Sequence, residues 1–273
     1  MPELPEVEMV ARGLRAPLTG RRVQGLWSDW PRVMHSPPTE EFAARIDGQV
    51  FRAVSRRGKF LLCALDSETL IVHLRMTGRL YVAANEKQVE ADRWVHFRLQ
   101  LDEGLQLRFS DARKFGRVWL TANPATVTSA LGPEPLSRHF TSRWLRKRLQ
   151  DRSRAIKPLL LDQGFLAGVG NIYADEALNH ARIHPLRPAN SLGEAEARAL
   201  HRALRAALRA GIEHEGASIN WYRKPDGSRG ESQSHFRVYG RNGEPCPRCA
   251  TPVVKSVVAQ RGTHFCPRCQ PAP

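Results

Sequence analysis

The 273-residue chain reads as an α+β protein built of several modules. Three observations carry that reading: an opening stretch with helical spacing, a central stretch in which apolar residues alternate with polar ones, and a closing stretch with four paired cysteines. With 41% apolar and 25% charged residues, the length suits two or three compact modules and speaks against disorder over most of the chain.

The elements follow in order. Pro5 fits the first turn of a helix, and Val7, Val10, Ala11 and Leu14 then recur at steps of three and four, forming one apolar stripe. From about Gln49 to Leu120 the period falls to two. Val95, Phe97, Leu99 and Leu101 alternate with His96, Arg98 and Gln100, and Asp102-Glu103-Gly104 turns into Leu105, Leu107 and Phe109. This predicts antiparallel strands, with clustered charge at turns such as Arg56-Arg57-Gly58-Lys59. Leu131 to Leu136 (LGPEPL) holds two prolines in a span that can continue neither a ladder nor a helix interior, and predicts a linker with a second domain beyond it. Helices come next, the clearest from roughly Glu194 to His214, with Leu200, Leu204, Leu208 and Ile212 on one face and Arg198, Arg202, Arg205 and Arg209 on another. That arginine stripe reads first as a solvated face and second as a track for phosphates. Gly216 to Gly230, polar and holding Lys224-Pro225-Asp226-Gly227, predicts a mobile loop.

Forty-two basic against 27 acidic side chains leave a net charge of +15, which calls for a polyanionic partner, nucleic acid first. No apolar run approaches membrane length. The opening MPELPEVE is acidic and carries Pro twice, so it lacks the order of a secretory signal. A cytoplasmic, bacterial-type protein is expected.

Cys246-Pro-Arg-Cys249 and Cys266-Pro-Arg-Cys269 supply four thiolates on two knuckles, the spacing of one tetrahedral zinc ion. Four cysteine ligands close the coordination sphere, which predicts a structural zinc (Zn2+) with no open position for chemistry. Arg248, Lys255, Arg261 and Arg268 around the pairs favour a nucleic-acid partner for the module. At the other end, removal of Met1 would leave Pro2 as a free secondary amine, and an α-amino group titrates near 7.7–8.0 against about 10.4 for lysine. It is therefore the more nucleophilic amine at neutral pH, and Glu3 and Glu6 lie beside it for proton transfer. An acidic helix start explains the same two glutamates equally well. Gly168-Val-Gly170-Asn171 entering Ile172 to Leu178 is a glycine-rich turn at a helix start, suited either to phosphate or to tight helix packing.

Three distant segments, MPELPEVE, LGPEPL with GVGNIYADEAL, and VYGRNGEPCPRC with AQRGTHFCPRC, together resemble the formamidopyrimidine-DNA glycosylase family over essentially the whole chain. The resemblance implies an N-terminal β-sandwich with flanking helices over 2–130, a helix-two-turn-helix domain over 131–225, a lesion-recognition loop over 216–238 and a four-cysteine zinc finger over 239–273. It implies a monomer acting on damaged double-stranded DNA, without a membrane role. It further implies Pro2 as nucleophile at C1′ of the damaged nucleotide, Glu3 as proton donor, Lys59 in RRGKFLL as a phosphate contact assisting β-elimination, and Arg261 in AQRGTHFC as the cation that grips phosphates and supports δ-elimination. Asn171, Arg152 and Lys157 in AIKPLL match further DNA-binding positions. Met76 in HLRMTG, with Arg113 and Phe115 in DARKFG, matches three residues that fill the gap left by an extruded nucleotide; by themselves Met76 and Phe115 would read as core.

Two stretches depart from the family pattern. Asp92-Arg93-Trp94-Val95 stands where His-Asp-His-Val is usual, and Ser228 to Ser234 (SRGESQS) replaces a Pro-Gly-Tyr-Phe-like run in the recognition loop. The alternatives are therefore an endonuclease VIII-like enzyme acting on oxidised pyrimidines and a non-catalytic binder of damaged DNA.

Overall fold

The computed structural model describes residues 1–84 and 92–273. The chain forms two compact units, Met1–Ser129 with Glu215–Glu231, and Ala130–His214 with Ser232–Pro273.

The first unit opens with α1 (Leu4–Leu18), whose buried stripe is the one the spacing predicted. Strands β1 (Val23–Trp27) and β2 (Met34–Ser36) and helix α2 (Thr39–Ile46) precede the predicted β region. These two strands escape a periodicity reading because they are short and β1 is bulged between Val23 and Gly25. Then come β3 (Ala53–Arg57), β4 (Phe60–Ala64), β5 (Thr69–His73), β6 (Arg79–Ala84), β7 (Val95–Leu101), β8 (Leu105–Ser110), β9 (Arg117–Thr121) and the short α3 (Ala125–Thr128). They make a four-stranded sheet, β1-β7-β8-β6, and a five-stranded sheet, β2-β9-β5-β4-β3; among the described residues only the β2–β9 pair is parallel.

The two sheets and both helices share one apolar cluster: Val10 and Leu14 of α1, Phe42 of α2, Leu61 and Val72 of one sheet, Phe97 and Phe109 of the other. Each such side chain contributes about 1.5–3 kcal/mol on burial, which makes this cluster the main source of the unit's stability. Tyr222, from the segment expected to be a mobile loop, is buried in the same cluster. Pro225 of that segment lies so close to α1 that a Cβ on Gly13 would stand 2.8 Å from its ring. The segment has no regular structure, yet it is tied down at both places.

The second unit holds α4 (Ser142–Gln150), α5 (Ile156–Leu161), α6 (Asn171–Ala181) and α7 (Glu194–Glu213), then the hairpin of β10 (Val254–Val258) and β11 (Arg261–Phe265). Leu200, Leu204 and Leu208 are buried as the α7 pattern required, whereas Ile212 at the end of that stripe is only half-buried. On the opposite side Arg198 pairs with Glu194, and Arg205 caps the carbonyls of Pro135 and Ser137, so half of the arginine stripe has structural work. The zinc module docks on α6 through polar groups. Glu176 accepts N–H bonds from Arg237, Val238 and Tyr239, and Gln270 bonds Asn179, the Cys266 N–H and the Ile183 carbonyl.

Candidate active site and nucleic-acid interface

Helix α1 turns the start of the chain inward, so Pro2, Glu3 and Glu6 are all buried. Glu6 holds the arrangement: its Oε2 accepts the Glu3 N–H at 2.8 Å, and its Oε1 accepts the Ala217 N–H at 2.8 Å. One carboxylate thus fixes the backbone of Glu3 and anchors the 215–231 segment beside it. The Met1 amine sits lower than its usual value of 8.0, first because of burial. The charges of Glu3 and Glu6 oppose that shift, while those of Lys59 and Arg113 reinforce it. All four charged groups therefore act on the same nitrogen.

Lys59 occupies the two-residue turn between β3 and β4, where Arg57 pairs with Phe60. Gly58 takes φ +57° at the first central position, which this kind of hairpin turn asks of glycine. The turn sets the lysine inward, only 4% exposed. His73, which the motif reading passed over, lies opposite Phe60 in the neighbouring strand and packs edge-on against its ring at 4.6 Å. Burial pushes its pKa down to about 3, with Arg75 and Lys59 adding repulsion, so the imidazole stays neutral beside the lysine. The signal for it was available: a histidine at the end of the strand leading into HLRMTG.

Met76 and Phe115 are exposed, at 37% and 47%, and are not core residues. Arg113 lies over the Phe115 ring at 4.6 Å, a cation–π contact. Asp92, in the first departing stretch, has an internal role: it accepts from Tyr81 Oη, Ser110 Oγ and the Trp94 N–H. Arg93 stacks on Trp94 at 4.6 Å.

In the second unit Arg261 is exposed at the head of β11. The preceding turn residues Ala259 and Gln260 both have positive φ, +46° and +62°, which matches the twist of a two-residue hairpin but costs residues with a Cβ. The turn is held from behind. Lys157 Nζ donates to Thr263 Oγ1 at 2.7 Å and to the Gly262 carbonyl at 3.1 Å, Asn171 Nδ2 donates to that carbonyl at 2.9 Å, and Asp175 Oδ2 accepts the His264 N–H at 2.9 Å. Lys157 and Asp175 form an ion pair at 2.7 Å with both side chains wholly buried. Lys157 was expected at the DNA; here it is a support of the hairpin, because a fully buried ammonium spent on these partners offers nothing to a phosphate. Asn171 is part buried in the same network, and Arg152 is exposed.

The four sulfurs of Cys246, Cys249, Cys266 and Cys269 all lie within 4.8 Å of one another, and neighbouring pairs are 3.4–3.5 Å apart. Tetrahedral zinc with bonds of about 2.3 Å puts sulfurs roughly 3.8 Å apart, so the set fits one zinc ion. Cys63 stands apart, buried, with its thiol pushed up to about 12 by burial.

A buried chain start beside two carboxylates, exposed apolar and cationic side chains at Met76, Arg113 and Phe115, and a basic hairpin next to four clustered cysteines suit a protein that handles nucleic acid. Comparison gives the particular family. The formamidopyrimidine-DNA glycosylase N-terminal domain matches residues 1–118, its H2TH domain residues 131–223, and the zinc finger found in FPG and IleRS residues 243–272. The formamidopyrimidine-DNA glycosylase of Chloroflexus aurantiacus is 51% identical, covering 99% of this chain and 98% of that protein. Two solved structures of the Lactococcus lactis enzyme, one of a mutant with DNA containing Fapy-dG and one with DNA containing an abasic site, superpose with a TM-score of 0.91 each at 36% identity, over 99% of this chain and 100% of theirs. The chain belongs to the formamidopyrimidine-DNA glycosylase family.

Proposed function

We propose that this protein is a bifunctional DNA glycosylase and abasic-site lyase that excises oxidised purines, 8-oxoguanine and formamidopyrimidines, from duplex DNA. The observation that carries the reading is the buried start of the chain, where Pro2 and Glu3 lie inward and Glu6 Oε2 fixes the Glu3 backbone. Removal of Met1 turns the Pro2 nitrogen, next to Glu3, into the chain's free amine. Its lone pair attacks C1′ of the damaged nucleotide, the C1′–N bond breaks, and the base leaves with a proton. Glu3 supplies the proton that opens the sugar ring to the iminium. Loss of a proton from C2′ then expels the 3′ phosphate, and a second elimination expels the 5′ phosphate. Lys59 and Arg261 hold the phosphates whose leaving completes each elimination. Asn171 and Arg152 add backbone contacts, and Met76, Arg113 and Phe115 fill the gap in the helix. Zinc supplies no step; bound to the four cysteines, it holds the Arg261 hairpin in shape.

The family relatives solved with a Fapy-dG lesion and with an abasic site support this substrate class. The modules we assign are 2–130 for catalysis, 131–225 for DNA binding, 216–238 for the base, and 239–273 for zinc, in a chain acting as a monomer. No helix among the described residues is long and apolar enough to cross a membrane.

Borohydride reduction of the protein mixed with abasic-site DNA tests the chemistry. We expect a covalent adduct that Pro2→Gly abolishes, and an intact mass lacking Met1. No adduct would leave the non-catalytic binder, and an adduct indifferent to Pro2→Gly would remove Pro2 as the nucleophile. The altered Ser228–Ser234 run bears on base choice, so excision of thymine glycol faster than 8-oxoguanine from matched duplexes would favour the endonuclease VIII-like reading.

A further inference from the structure

The segment carrying Met76 and the turn carrying Arg113 and Phe115 are separate in sequence, yet one buried carboxylate joins them. Asp111 is 1% exposed. Its Oδ1 accepts from the Thr77 hydroxyl and from the Arg113 N–H at 3.3 Å; its Oδ2 accepts from the Phe115 N–H at 2.8 Å and the Gly116 N–H at 2.7 Å. The donors are a hydroxyl and three backbone N–H groups, all neutral, so the carboxylate acts as a knot tying backbone to backbone. Thr77, itself buried, is the neighbour of Met76 in sequence.

Packing repeats the connection. A Cβ on Gly78 would come within 2.8 Å of the Phe109 ring, and one on Gly116 would run into the same ring. Both segments therefore close on Phe109, which is buried between them. Each also holds a left-handed residue with a side chain next to a wedge residue: Arg75 at φ +53° before Met76, and Lys114 at φ +54° between Arg113 and Phe115. Such conformations persist where the surroundings overdetermine them, and they mark places where shape is being enforced.

We propose that Asp111 and Thr77 are positioning residues that make Met76, Arg113 and Phe115 a single preassembled block. The inference rests on the proposed role of those three side chains in filling the gap left by an extruded nucleotide. Entering a stacked duplex with three independently mobile side chains would add the cost of ordering them; a block fixed in advance avoids it.

The test compares two substrates. Single-turnover excision of 8-oxoguanine from duplex needs both extrusion and gap filling, whereas cleavage of a single-stranded oligonucleotide with a preformed abasic site needs only the amine chemistry. Thr77→Val keeps the shape and removes the hydroxyl. It should slow duplex excision at least tenfold, leave single-strand cleavage within about twofold, and be rescued by Thr77→Ser. Asp111→Asn, which keeps one oxygen for the Phe115 and Gly116 N–H groups but turns an NH2 toward the Arg113 N–H, should also slow duplex excision while sparing single-strand cleavage. In a Met76→Ala/Phe115→Ala background, Thr77→Val should cause little further loss. Full duplex activity of Thr77→Val, equal loss on both substrates, or full loss persisting in the double-alanine background would each overturn the proposal. Should Asp111→Asn fail to fold, the Thr77 pair decides alone. If Met76→Ala/Phe115→Ala itself excises at the normal rate, the gap-filling reading falls and the positioning role falls with it, a result distinct from a failure of Thr77→Val alone.

Discussion

Two β-hairpins carry the proposed phosphate-gripping cations, Lys59 between β3 and β4 and Arg261 between β10 and β11, and they are held in opposite ways. Behind Lys59 stands the apolar cluster shared by a four-stranded and a five-stranded sheet, including Leu61, Val72 and Phe97. Behind Arg261 stands a two-stranded sheet, with Val257 75% exposed, and an apolar cluster of Val238, Val253, Cys246 and Cys266. The small module makes up the difference with four thiolates around a metal position and with buried polar ties from Lys157, Asp175, Glu176 and Gln270. A large region can rely on nondirectional burial. A region of about thirty residues must rely on directional bonds, each of which matters singly.

The contrast can be broken most strongly at the metal. Cys249→Ser, or chelation, withdraws on the order of 10 kcal/mol of zinc binding from the module. We expect loss of zinc stoichiometry and of DNA affinity, while thermal unfolding of the sandwich and the Pro2 amine are unchanged; retained affinity in a zinc-free protein would refute this. Next comes the buried pair. Lys157→Met leaves Asp175 uncompensated and should cost about 3–5 kcal/mol in denaturant unfolding, whereas joint replacement of Lys157 and Asp175 should cost less than the sum of the singles. Additive losses would mean that the pair is not a unit.

On the sandwich side, Glu6→Gln keeps one oxygen but turns an NH2 toward either the Glu3 or the Ala217 N–H. It should destabilise by about 1–3 kcal/mol and reduce adduct formation with abasic DNA, because the backbone of Glu3 loses its anchor. Adduct formation at the normal rate would show that Glu6 serves the fold alone.

The most gradual effect is electrostatic, spread over several pH units, and concerns His73. Its imidazole stays neutral in the fold down to about pH 3, whereas in the unfolded chain it protonates near its ordinary 6.5. As pH falls through that window the unfolded state takes up the proton first. Its contribution to stability is thus complete above 6.5 and drains between 6.5 and 3, at about 1.4 kcal/mol per pH unit. His73→Asn should flatten the slope in a series of urea melts; an unchanged slope would assign acid sensitivity to other groups.

How much of this was legible follows from the range of each signal. The cysteine pairs, the Gly58-Lys59 turn and the α1 and α7 stripes are patterns within a few residues, and local sequence states nearly all of them, Ile212 excepted. The resemblance of three distant segments extended that reach to the roles proposed for Pro2, Arg261, Met76, Arg113 and Phe115. Glu6 and Ala217 lie 211 positions apart, and no periodicity relates them. The same holds for Lys157 and Thr263, 106 apart, and for Thr77 and Asp111, 34 apart. Lys157 shows the consequence: its motif is readable, yet whether its ammonium faces DNA or a buried carboxylate depends on what packs above it.

By itself the sequence determined the zinc ligands, the modular order and the basic character, since each depends on residue type and near spacing. Only the tertiary structure decided that Glu6 is an anchor, that Lys157 is a support, that Tyr222 fastens an irregular segment, and that Asp111 joins two turns. Burial and long-range hydrogen bonds select one role among several that a polar side chain can play, and they exist only once the chain has folded.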